Sequence, residues 1–155
     1  MMSGASGVSG GADSVVKELT RGVTLQRIAG GQIIILTISR TVPEAVDAWA
    51  EASLRMLDVW PPDRPYLLLH DVSTPGVALT PYIRQRSREL AVAAPHVGGR
   101  VAVLLPRGAL GRVIRIYLNY LSRNANRTLR AFLDRDEALA WLREALPPEP
   151  PPTYS

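Results

Sequence analysis

The sequence predicts an α/β domain whose mostly parallel, five-stranded sheet packs against helices. Three observations carry that prediction. Short apolar runs alternate with segments of helical periodicity from Thr41 onward. The run "QIIILTI" (Gln32–Ile38) is apolar almost throughout, as a strand covered on both faces must be. It is joined to "VTLQRIA" (Val23–Ala29) by Gly30-Gly31, a two-residue hairpin signal, because glycine takes the positive φ such turns need. Only that first strand is expected to pair antiparallel; the alternation that follows demands right-handed crossovers.

After the hairpin, "TVPE" (Thr41–Glu44) reads as a helix start, with Thr41 as cap, Pro43 in the first turn and Glu44 closing a capping box. Val42, Val46, Trp49, Ser53, Met56, Leu57 and Trp60 follow at helical spacing, and "WPPDRP" ends the helix. "YLLLHDV" (Tyr66–Val72) is the third strand. Thr80-Pro81 caps a helix running to about Ala94, and "APHVGG" stops it. "RVAVLLP" (Arg100–Pro106) is the fourth strand and "RGALG" opens a helix with Leu110, Ile114, Tyr117, Leu121 and Ala125 on one face. "TLRAFLD" (Thr128–Asp134) is the fifth strand, and Asp134 with Glu137 caps the last helix, "EALAWLREAL". The predicted order is β-β-α-β-α-β-α-β-α, with no internal repeat.

The 155 residues suit one domain. A Gly/Ser-rich start, residues 1–14, and a Pro-rich end, "PPEPPPTYS" (147–155), are expected to be flexible tails around a single domain over 15–146. Without cysteine, disulfides and thiolate sites are excluded, and two histidines cannot build a His-rich metal site; no metal or cofactor is expected. No signal peptide and no run near 20 apolar residues is seen, so a cytoplasmic protein without a transmembrane segment is expected. The net charge is +4, unevenly spread. Val42–Asp63 holds five acids and one base, whereas Arg84–Arg130 holds ten arginines and one acid. No aromatic platform, zinc signature or helix-turn-helix accompanies the arginines, so nucleic acid is not the expected partner.

His70, Asp71 and Ser73 are residue types of a hydrolase triad. Neighbours on a strand point to opposite faces, so His70 and Asp71 do not meet, and Ser73 lacks a glycine-flanked elbow. They read as a strand-to-helix connection in which Asp and Ser satisfy turn amides, with no catalytic residue. "PRGALGR" is the anion-binding candidate: a parallel strand ends there, a helix begins, Gly108 and Gly111 allow close approach, and Arg107 and Arg112 supply charge. The same helix carries a second candidate, a partner surface of Arg115, Ile116, Tyr120 and Arg123, whose mix of arginine and apolar side chains suits a protein or an anionic membrane. Trp49, Trp60 and Trp141 fall at core spacing.

The element order over Val23–Leu146, with "RVAVLLP" and then "TLRAFLDRDEALAWL", resembles the STAS-like (SpoIIAA-like) domain of anti-sigma-factor antagonists, in the branch also grouped with CRAL-TRIO lipid-binding domains. Asp71-Val72-Ser73 matches the Asp-Leu-Ser strand end of phosphorylated antagonists; the Asp-Ser-Ser-Gly phosphoacceptor box is absent, and Thr80 is the hydroxyl at the helix start. The resemblance implies a bacterial-type, non-enzymatic regulatory module binding a protein partner, a second copy of itself included, or a small anionic ligand. Its lipid-binding branch implies an alternative, a lipid-binding or membrane-surface protein. A small enzyme using the 106–112 anion site is a second alternative.

Overall fold

A computed structural model describes residues 15–148; the tails expected over 1–14 and 149–155 lie outside the described residues. The chain forms β1 (Val16–Thr20), β2 (Val23–Ile28), β3 (Ile33–Ile38), α1 (Pro43–Val59), β4 (Tyr66–Asp71), α2 (Pro81–Val92), β5 (Gly99–Leu104), α3 (Ala109–Leu121), β6 (Thr128–Phe132) and α4 (Arg135–Arg143). The sheet has six strands in the spatial order β1-β2-β3-β4-β5-β6, not five. The added strand is β1, which pairs antiparallel with β2 at the sheet edge. Its sequence, VKELT, lacks an apolar alternation because both of its faces are largely exposed, and a charged edge strand resists unwanted pairing.

β2 and β3 are antiparallel, and β3 through β6 are parallel. The hairpin pairs Ile28 with Ile33, so its loop holds four residues rather than two, with a 3-10 turn over Ala29–Gly31. Ala29, Gly30 and Gly31 all take positive φ there. The start of α1 also departs from expectation: Val42 is the N-cap and makes no side-chain cap bond. Thr41 instead accepts from the Ala78 amide, and Glu44 accepts from the Thr20 hydroxyl, so the two residues tie down neighbouring segments. The other two predicted caps form, Thr80 accepting from the Ile83 amide and Asp134 from that of Glu137.

Side-chain alternation divides the core in two. Leu36, Leu68, Val101 and Val103 face α1, α2 and α3 on one side of the sheet. Ile35, Leu67, Leu69, Ala102 and Phe132 face α4 on the other, packed against Trp141 and Leu142. β3 and β4 contribute to both clusters, which is why their sequences read as unbroken apolar runs.

Candidate functional site

α2 is a poor space-filler. Ile83 is its one buried residue, and the stripe facing the sheet is Ile83, Ser87, Leu90 and Ala91, small at two of four positions. Polar ties at its margins hold it in place. The Tyr82 hydroxyl donates to Asp47 of α1, and the Tyr117 hydroxyl of α3 donates to the Arg84 carbonyl at 2.9 Å. At the C-terminal end, Arg127 donates to the carbonyls of Leu90, Ala93, Ala94 and Val97 at 2.8–3.2 Å. One guanidinium thus gathers the carbonyls at the end of α2 and in the turn that follows it. Beneath this roof lies a partly open cavity of about 110 Å³. Its floor is the inner face of β4, β5 and β6, and its walls are mostly aliphatic and aromatic.

His70 sits at an inward position of β4 on the cavity floor, as the alternation with Leu68 and Val72 requires. The Trp49 indole, 4 % exposed, donates from Nε1 to His70 Nδ1 at 3.0 Å, with the two rings edge to face at 5.2 Å between centroids. Accepting at Nδ1 fixes the tautomer, so the ring proton resides on Nε2. Burial pushes the imidazole down to about 3, which keeps it neutral at ordinary pH. The ring lies deep in the structure yet retains some accessible surface, because it borders the cavity.

The opposite end of the β4 floor is Tyr66. Its ring meets Trp60 edge to face at 5.1 Å, and the Arg127 guanidinium lies 5.8 Å from its centroid. Burial raises the phenol well above its usual range, against the pull of Arg127, so it stays protonated. Arg127 is itself lowered, burial outweighing the influence of Tyr66.

The triad types are kept apart. His70 faces α1, while Asp71 faces α4, where Arg135 lies 3.5 Å from its carboxylate. Asp71 also accepts from the Ser73 amide at 3.0 Å and hydroxyl at 2.6 Å, the turn expected of a strand end. Arg107, Gly108, Gly111 and Arg112 do gather at the start of α3. Gly108 is its N-cap at φ 93°, with open space where a side chain would be. Gly111 is different: a Cβ there would overlap the Pro106 carbonyl, so its missing side chain is filled by protein. Arg107 reaches the Leu133 carbonyl at 3.5 Å, and Arg112 is exposed. On the outer face of α3, Ile116 is 70 % and Tyr120 57 % exposed, beside exposed Arg115 and Arg123. Val113 extends this stripe.

Sequence reasoning placed Trp49 in the core but not at a cavity wall, took His70 for a connection residue and passed over Arg127. The parity of His70 with Leu68 and Val72 was the available signal. No group of three or more His, Cys, Asp or Glu that could hold a metal occurs among the described residues. None of their helices is long and apolar enough to cross a membrane.

No protein-family model matches the chain, and no curated protein matches it. Among solved structures it is similar to an uncharacterized protein of the DUF3478 family with a SpoIIAA-like fold, from Shewanella loihica PV-4. The TM-score is 0.53 at 15% identity, covering 77% of this chain and 91% of that one. The chain therefore has a SpoIIAA-like fold, in agreement with the resemblance of its element order to STAS-like domains.

Proposed function

We propose that the protein is a non-enzymatic binding module that takes a small apolar or lipid-like molecule into the cavity beneath α2. The cavity carries this reading. An engineered apolar cavity of about 150 Å³ stays dry and binds benzene. At about 110 Å³ the present one has room for an aromatic ring or a short alkyl or acyl segment. Each Å² of apolar ligand surface taken from water contributes about 25 cal/mol. The separation of His70 from Asp71 supports binding without a chemical step. The same cavity favours the lipid-binding alternative over a small anionic ligand. Arg127 is the cation at its wall, and both of its terminal nitrogens already donate to two carbonyls each.

A second reading, a protein partner, draws on the exposed Val113, Ile116 and Tyr120 of α3 between arginines. The two are compatible, since the inner face of α3 lines the cavity and its outer face is the stripe.

The test is an NMR titration with benzene and ethylbenzene, following the methyl groups of Leu57, Val103, Ile114 and Leu118. Saturable shifts confined to these residues, abolished by Ser87→Leu, are expected. No shift at ligand concentrations near aqueous solubility would refute the reading.

A further inference from the structure

Among the polar side chains that line the cavity, most are already committed. Ser53 Oγ donates to the Trp49 carbonyl at 2.9 Å and Ser87 Oγ to that of Ile83 at 2.7 Å. Tyr117 and the terminal nitrogens of Arg127 donate to backbone carbonyls, as described above. Two polar atoms of the β4 floor remain without a hydrogen bond among the described residues: His70 Nε2 and Tyr66 Oη. Neither is sealed by protein, for the buried unpartnered side-chain atoms are Arg84 Nε and Arg86 Nε. Each therefore keeps some accessible surface, and both residues line the cavity.

His70 Nε2 is the better defined of the two. The Trp49 indole has taken the lone pair of Nδ1, so Nε2 bears hydrogen and can only donate. Tyr66 starts four residues away along the strand, roughly 13 Å between Cα atoms by strand rise, and its hydroxyl can turn. A buried donor without an acceptor is costly, which gives a ligand bearing an acceptor an advantage that a hydrocarbon lacks. A carboxylate is a poor match, because it would be desolvated beside a neutral imidazole, with the hydrogens on Arg127's terminal nitrogens already shared out.

We propose that the ligand is a neutral molecule with an apolar body and a carbonyl-type acceptor, such as a ketone, ester or amide, seated so that the acceptor receives a hydrogen bond from His70 Nε2–H. This rests on the cavity-binding reading and names the ligand class within it.

Acetophenone, ethylbenzene and benzoate share an aromatic body and differ in the group that would meet His70. Their affinities can be measured by NMR titration at neutral pH against the full chain and against His70→Phe, while long-range ¹H–¹⁵N spectra report the His70 tautomer. The expected result is a wild-type His70 protonated at Nε2 alone, an Nε2–H signal that shifts with acetophenone, and benzoate binding undetectably. The acetophenone-to-ethylbenzene affinity ratio should fall about tenfold in His70→Phe. Should that variant fail to fold, the tautomer and the Nε2–H shift in the wild type decide alone. A proton on Nδ1, an Nε2–H signal indifferent to acetophenone, or benzoate binding as tightly as acetophenone overturns the proposal while ethylbenzene binding leaves the cavity reading standing. Absence of binding by all three overturns both.

Discussion

The buried imidazole makes stability depend on pH in a way that isolates one residue. His70 is held down to about 3 in the folded protein, from an ordinary 6.5, and burial is the cause. With the folded value below the unfolded one, the contribution is fully present above about pH 6.5 and is lost as pH falls toward 3. Between about pH 7.5 and 5.0 the unfolded chain takes up the proton that the folded chain refuses. The loss over that interval is about 2 kcal/mol, at 1.36 kcal/mol per unit of pH once below the unfolded value. Stopping near pH 5 stays above the range in which carboxylates ordinarily titrate. Urea unfolding of the wild type and of His70→Gln over this interval measures the term directly. Glutamine presents a carbonyl that can accept from Trp49 and carries no titrating proton, so its curve lacks this contribution. The wild type should lose about 2 kcal/mol more than the variant across the interval. Parallel curves would mean that the imidazole is hydrated and charges freely in the folded state, and the described burial of His70 would be wrong.

Three further outcomes follow from the same geometry. Ser87→Leu should fill part of the cavity and raise stability by about 1–2 kcal/mol, net of the lost Ser87–Ile83 bond, with denaturant midpoints as the check. Arg127→Met should cost about 3 kcal/mol or more by stripping donors from four carbonyls; hydrogen exchange should show the end of α2 opening before the sheet does. Gly111→Ala should destabilise by more than about 2 kcal/mol through its clash with the Pro106 carbonyl, and Gly108→Ala, in open space but at φ 93° and ψ −159°, a region essentially reserved for glycine, should cost about 1–3 kcal/mol through backbone strain alone. A near-neutral Gly111→Ala would mean that Gly111 stands free at the start of α3.

What was legible in the sequence follows from where each signal resides. The parallel strands announced themselves because a strand buried on both faces has to be apolar at successive positions, as Ile33–Leu36 and Leu67–Leu69 are. Thr80 and Asp134 were found as caps because capping is local in sequence. Thr41 has the residue type of a cap but is drawn to Ala78, 37 residues away, and no local rule sees that competition. β1 was missed because an exposed edge strand has no apolar face to display. The cavity was out of reach for another reason. Trp49, His70 and Ser87 come from three separate elements, and the space among them depends on how far α2 stands off the sheet. Only the inward parity of His70 was there to be read.

That standoff is itself written in the chain. Unfilled apolar space forgoes dispersion contacts that larger side chains would make. Larger side chains at Ser87 and Ala91 would recover some of them, and such residues are sterically ordinary in a helix. Small residues line the roof there, and α2 is secured by another route: Arg127 grips its C-terminal end and Tyr82 and Tyr117 tie it to α1 and α3. Ile83 and Leu90 pack toward the sheet as well, so attachment is shared between apolar contact and these polar ties. A roof held by hydrogen bonds at its margins can stay in register whether the space beneath it is empty or occupied, which is the mechanical requirement of a site that must take up and release a small apolar molecule.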